Sequence, residues 1–194
     1  MGILLYVFST IFVVYMTFIK VEARTWNALF WIIILFASVN AVTKSFHQEN
    51  SHRQLYYYTL ANPVAILFSK MLYNTLMLLL ISLLAFGFFS LLVGNPVKDV
   101  GLFLLGLVLS SLGFSITFTF ISAISVKANN SATLMAILSF PIILPILMTL
   151  IKLSANALRL IQDTSINKDL IILVAIDVIL GCLAYVLFPF LWRD

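Results

Sequence analysis

Six long apolar runs, separated by short polar connections, set the terms for everything this chain can fold into. They cover about residues 3–19, 26–43, 64–93, 100–126, 132–151 and 170–190. A helix needs about 20 apolar residues to cross the hydrocarbon of a bilayer. The reading is therefore all-α: a polytopic membrane protein with six transmembrane helices in one domain, residues 1–194. Composition excludes a soluble alternative. Hydrophobic residues make up 63% of the chain and charged residues 9%, against roughly 25% charged in an ordinary soluble domain. So little charge does not cover a water-facing surface, and the solvent has to be a lipid bilayer.

The connections refine this outline. The first run starts at Met1 with no basic stretch before it, which makes a poor signal peptide. It has little length to spare, so the natural chain is expected to begin upstream with a charged surface helix. Trp26 and Trp31 stand near the start of the second run, where aromatic anchors sit at the membrane interface. Asn62 and Pro63 form a cap and first turn for the third run. Gly94-Asn95-Pro96 is a turn signal. In the connection from Lys152 to Asp169, Leu153, Ala157, Leu160 and Ile161 recur at near-helical spacing, which predicts a short interfacial helix.

An even number of spans puts both termini on one side. The cations divide almost equally between the two sides, so the positive-inside rule gives no orientation. The net charge is +4. Its carriers lie in loops between apolar runs, as topology signals and phospholipid contacts rather than a nucleic-acid surface. Cys182, inside an apolar run, is expected to be a small packed residue; a lone cysteine forms no intrachain disulfide.

The residues with chemistry in them do not assemble a catalytic site. The chain has no G-x-x-x-x-G-K-[ST] phosphate cradle and no H-E-x-x-H. His47 and His52 are five apart, which does not stack them on one helix face. No catalytic residue, no metal site and no directly bound cofactor is expected. Asp177 is the one acid deep in a span, where an ionisable side chain costs about 2.5–3.5 kcal/mol on insertion scales. It reads either as a polar contact on a translocation path or as an inter-helix hydrogen bond, the second being the commoner outcome. Asn27, Asn40 and Asn74 read as inter-helix hydrogen bonds. Gly106, Ser110 and Gly113 make a small-residue face suited to close helix packing. Pro141 and Pro145 remove backbone donors within the fifth run and predict a kinked or broken helix.

The longest stretch that is not mostly apolar is KSFHQENSHRQLYYYTLANP, from Lys44 to Pro63. Glu49 precedes Arg53 by four residues, the favourable order for a helical ion pair. Leu55, Tyr56 and the following tyrosines then bring in apolar and headgroup-seeking rings, and Asn-Pro ends the segment. The pattern predicts an amphipathic helix on the membrane surface over about 46–60. Such a helix either anchors two spans or docks a soluble partner.

Phe46, Glu49, Leu55, Leu60, Pro63 and Lys70 carry an F-x-x-E, L-x-x-x-x-L, P, K pattern. It resembles the loop between the second and third spans of ABC-2-type permeases. More specifically, the chain resembles the CcmB family, the membrane subunits of the haem-exporter ABC complex of cytochrome c maturation. The blocks that carry this are GILLYVFST at Gly2, TWNALFWIIILFASVNAV at Thr25, RQLYYYTL at Arg53, GNPVKDVGLFLLG at Gly94, KANNSATLMAILSFPIILPIL at Lys127 and LFPFLW at Leu187. Family members resemble one another in a charged segment before the first span, which does not precede it here.

The resemblance implies an ABC-2-type permease fold and a non-catalytic subunit of an ATP-driven transporter, for haem export or release of a haem-loaded chaperone. ATP would be bound by a CcmA-like ATPase, with two copies of each subunit, so that this chain forms a homodimer within the complex. CcmC-like and CcmD-like membrane proteins complete the set of partners, and haem is the cargo. The setting would be the bacterial inner membrane, with both termini cytoplasmic. The 46–60 segment becomes a coupling helix, with Phe46, Glu49, Arg53, Leu55, Tyr56, Leu60, Pro63 and Lys70 at or near the ATPase. Lys127, Asn129 and Asn130 face the same side as a second, smaller contact. The competing reading is an ABC-2 permease for a glycolipid, polysaccharide or drug. A scaffold or channel without a motor is a different class, and predicts no associated ATPase.

Overall fold

The structure, a computed structural model, describes residues 2–18, 20–47, 63–125, 131–161 and 166–193. Every regular element among them is a helix: α1 (Gly2–Thr17), α2 (Ala23–His47), α3 (Pro63–Val93), α4 (Val100–Ser125), α5 (Ser131–Ala157) and α6 (Ile166–Arg193). Five of them, α2 to α6, are long and apolar enough to cross a membrane. α1 has 16 residues, or roughly 24 Å at 1.5 Å per residue, less than the ~30 Å hydrocarbon core. It packs on α2 and α3, burying Val7 and Ile11 one turn apart. Six predicted spans thus become five full-length ones and a short sixth.

α4 is the hub. It packs against α2, α3, α5 and α6. The pairings fix the directions. Gly106 meets Leu153 and Gly113 meets Ile146, so α4 and α5 run antiparallel. Gly113 meets Asp177, and Phe120 clusters with Ala184 and Phe188, so α4 and α6 run parallel. The outer helices turn large apolar side chains outward, such as Leu72, Leu76 and Leu80 on α3 and Val174, Val178 and Tyr185 on α6. In water such faces would aggregate; in lipid they are solvated. The ends of α2 and α4 and the starts of α3 and α5 therefore lie at one end of the bundle, here called the near end. The loops after α1, α3 and α5 lie at the far end.

The far end is tightly built. Trp26, Phe30 and Trp31 of α2 pack with Phe86 and Phe89 of α3 and Phe103 of α4, ring centroids 4.8–6.4 Å apart. Gly94 has φ +97°, a left-handed conformation that favours glycine. Its carbonyl accepts a 2.9 Å bond from Trp26 Nε1. Asn95 Oδ1 accepts from the Val97 N–H at 3.0 Å. Asp99 Oδ1 caps α4 by accepting from the Leu102 N–H at 3.0 Å. The N–H groups of Lys98 and Asp99 donate to the Ala157 carbonyl at 3.1 and 2.9 Å, tying the α3–α4 turn to the end of α5.

Several expectations change here. Trp26 and Trp31 are buried core residues, not lipid-facing anchors. Their N–H groups find protein partners, which removes the reason for a Trp to seek the headgroups. Of the interfacial helix expected beyond residue 151, the part to Ala157 is the last stretch of α5, with Leu153 and Ala157 buried in the core, while Leu160 and Ile161 follow its end and Ile161 is exposed. α5 ends with Arg159 at φ 55° and a bond from the Leu160 N–H to the Ala155 carbonyl, a left-handed stop usually taken by glycine. α5 also runs on through Pro141 and Pro145 rather than breaking. Both prolines are exposed on the outer face of α5. Cys182 is exposed on the outward side of α6, not packed.

Candidate functional site

The polar groups inside the bundle fall into two sets with different chemistry. The first braces the far end. Ser154 Oγ of α5 donates to Asn27 Oδ1 of α2 at 2.7 Å and accepts from Trp31 Nε1 at 2.7 Å. Asn27 Nδ2 donates to the Ile151 carbonyl at 2.9 Å. Each polar atom of this triad has a partner, so burial costs it little. Nearby, Lys152 Nζ of α5 lies 3.2 Å from Asp169 Oδ1, at the start of α6.

The second set lines the middle and near half of α4. Ser110, Ser111, Ser115, Thr117, Thr119, Ser122 and Ser125 are all buried. Ser110 and Ser111 return their hydroxyls to the Leu107 carbonyl at 2.8 Å, and Ser125 donates to Ser122 O at 3.0 Å. Two contacts reach α3: Ser115 Oγ donates to Met71 O at 2.7 Å, and Asn74 Nδ2 donates to Thr119 Oγ1 at 2.8 Å. Thr117 Oγ1 and Ser122 Oγ have no hydrogen-bond partner among the described residues.

Asp177 belongs to this second set. The residue is 8% exposed, and neither carboxyl oxygen has a hydrogen-bond partner among the described residues. It lies against Gly113, where an added Cβ would stand 2.5 Å from Asp177 Oδ1. The inter-helix hydrogen bond expected of Asp177 is absent there, while Asn27 and Asn74 do make theirs. Asn40 differs again, donating to Phe36 O on its own helix at 2.9 Å.

The residues expected at an ATPase contact are only partly placed. α2 continues to His47, so Phe46 stands in its last turn rather than opening a separate surface helix. Pro63 is the first residue of α3, and Lys70 lies two turns further in, half-buried. Glu49, Arg53, Leu55, Tyr56 and Leu60 lie outside the described residues, as do His52, Lys127, Asn129 and Asn130. Both stretches connect helix ends at the near end, so the fold brings the two expected contacts to the same end of the bundle. No group of three or more His, Cys, Asp or Glu side chains suited to a metal occurs among the described residues.

Long apolar helices gathered round a polar-lined central helix define an integral membrane protein, all-helical through its described residues. A family model described as CcmB protein matches residues 2–191, and the chain belongs to the CcmB family. That family consists of membrane permease components of cytochrome c maturation. No curated protein and no solved structure matches the chain.

Proposed function

We propose that this chain is the permease subunit of an ATP-driven haem exporter, acting in haem export or release of a haem-loaded chaperone. The observation that carries the reading is the family match over nearly the whole chain, joined to a sequence with no phosphate cradle of its own. The energy then has to enter from a partner, a CcmA-like ATPase that binds ATP. Two copies of this chain pair with two ATPase subunits, beside CcmC-like and CcmD-like proteins, in the bacterial inner membrane. This chain transmits force and holds no cofactor; haem is the cargo of the assembly.

In this reading the near end faces the cytoplasm, with both termini. Residues 46–60 form the coupling segment: Phe46, in the last turn of α2, and Glu49, Arg53, Leu55, Tyr56 and Leu60 beyond it meet the ATPase. Pro63 and Lys70 carry the motion into α3, and Lys127, Asn129 and Asn130 make the smaller second contact. The near-end position of both connections supports this arrangement. Motion needs contacts that differ between two states. α5, with Pro141 and Pro145 removing two backbone donors, is one element suited to bend between them.

The test is paired charge reversal, Glu49→Lys with Arg53→Glu. The expected result is loss of ATPase co-purification and at least tenfold less mature cytochrome c, with the chain still present in the membrane. If both survive, the segment is an anchor and not a coupling helix.

A further inference from the structure

Asp177 is hard to account for by packing. A buried polar group normally recovers its desolvation cost through hydrogen bonds. In either protonation state a carboxyl group seeks such partners. Asp177 has none among the described residues, although α4 offers hydroxyls along its whole inner half. Gly113 leaves a notch that the carboxyl fills, with Oδ1 2.5 Å from the place of a Cβ.

The neighbouring stripe has the same property. Gly106, Ser110, Gly113 and Thr117 follow one another at helical spacing of four, three and four residues. Thr117 lies between Gly113, which touches Asp177, and Phe120, which clusters with Ala184 and Phe188. It therefore sits one turn from Gly113 on the small-residue face of α4, which α5 and α6 cover together, and its buried hydroxyl has no partner among the described residues. An unpartnered hydroxyl on α4 thus lies one turn from the notch that holds the unpartnered Asp177 carboxyl of α6, while Ser90 Oγ and Asp169 Oδ2 are unpartnered elsewhere among the described residues. α6 is the wall with fewer ties, because most of its surface faces outward.

We propose that the α4–α6 seam around Asp177, Gly113 and Thr117 is an occluded hydration site. When α6 separates from α4 it admits water, which supplies the hydrogen bonds the carboxyl and the hydroxyl lack. The seam is then the part of the bundle that opens during turnover. The inference rests on the proposed function for the driven motion and goes beyond it in naming the part that moves; thiol accessibility at the seam is read without reference to haem or cytochrome c.

The test uses the assembled complex in native membranes, with Cys182→Ala removing the one native thiol. Thr117→Cys is challenged with silver ion, which is close to water in size, and with a trimethylammonium methanethiosulfonate, with and without nucleotide. Val178→Cys, next to Asp177 but facing outward, is the lipid control. The expected result is silver modification of Thr117→Cys at least tenfold faster than of Val178→Cys in at least one nucleotide state. No difference in any state overturns the proposal. A second variant, Asp177→Ala, removes the unpartnered carboxyl without adding bulk against Gly113, which should leave assembly intact. Unchanged complex with at least tenfold less mature cytochrome c supports the site. Unchanged maturation shows that Asp177 only fills the notch, and overturns it.

Discussion

The Asn27–Trp31–Ser154 triad at the far end and the α4–α6 seam hold polar groups at similar burial, yet treat them in opposite ways. At the far end, Asn27, Trp31 and Ser154 satisfy one another across α2 and α5, within a pack of six aromatic rings. At the seam, Asp177 and Thr117 are buried with no hydrogen-bond partner among the described residues. A fully satisfied network holds one arrangement, while an unsatisfied one is higher in free energy and is relieved by a second arrangement. In a protein that converts a partner's motion into movement in the membrane, the first region suits a fixed frame and the second a moving contact.

The largest expected effect comes from breaking the frame. Trp31→Ala removes a fully buried ring and leaves Ser154 without its donor. Removing a buried aromatic side chain costs about 3–5 kcal/mol. The variant should lose much of its steady-state level in the membrane and unfold at a clearly lower temperature in detergent. Wild-type levels would mean that the ring cluster is not a frame.

A middle-sized effect is expected at the seam. Gly113→Ala sets a Cβ where the Asp177 carboxyl stands, so the carboxyl has to turn or α6 has to move. Overpacking of this kind costs about 1–3 kcal/mol. Adding Asp177→Ala to Gly113→Ala should return most of that loss in detergent melting, because the clash is between these two groups. Additive losses in the double variant would show that the notch is not specific to this pair.

The smallest effect belongs to the ion pair linking α5 to α6. The Lys152 side chain is 43% exposed, whereas that of Asp169 is 4% exposed. With one partner this open to solvent, a double-mutant cycle of Lys152→Met and Asp169→Asn should give a coupling of about 1 kcal/mol or less. A coupling well above that would extend the rigid frame across to the start of α6.

The span pattern was legible in the sequence because the hydrocarbon core sets helix length whatever the neighbours are. The hydrogen bonds of Asn27 and Asn74 were legible in kind, since an amide in a span has few other options. Their partners were not. Ser154 is 127 residues from Asn27, and no local pattern joins them. Trp26 and Trp31 misled because position along a helix gives depth but not the face a ring takes. The end of α5 misled for a related reason: Leu153 and Ala157 have a spacing that fits a lipid-lying helix or a core-facing one equally well. The Ala157 carbonyl, taken by Lys98 and Asp99 from another connection, fixes the outcome. Asp177 was legible as unusual, but its fit to Gly113 joins residues on two helices. The coupling residues from Glu49 to Leu60 rest on sequence and family likeness alone, since they lie outside the described residues.

The account turns on which face of the membrane the near end occupies, and a single thiol decides it. His52→Cys, in a chain carrying Cys182→Ala, is exposed to a membrane-impermeant maleimide in intact spheroplasts and again after permeabilisation. A cytoplasmic near end predicts labelling only after permeabilisation. Labelling in intact spheroplasts would place residues 46–60 outside the cell, away from any ATPase, and contradict the coupling mechanism.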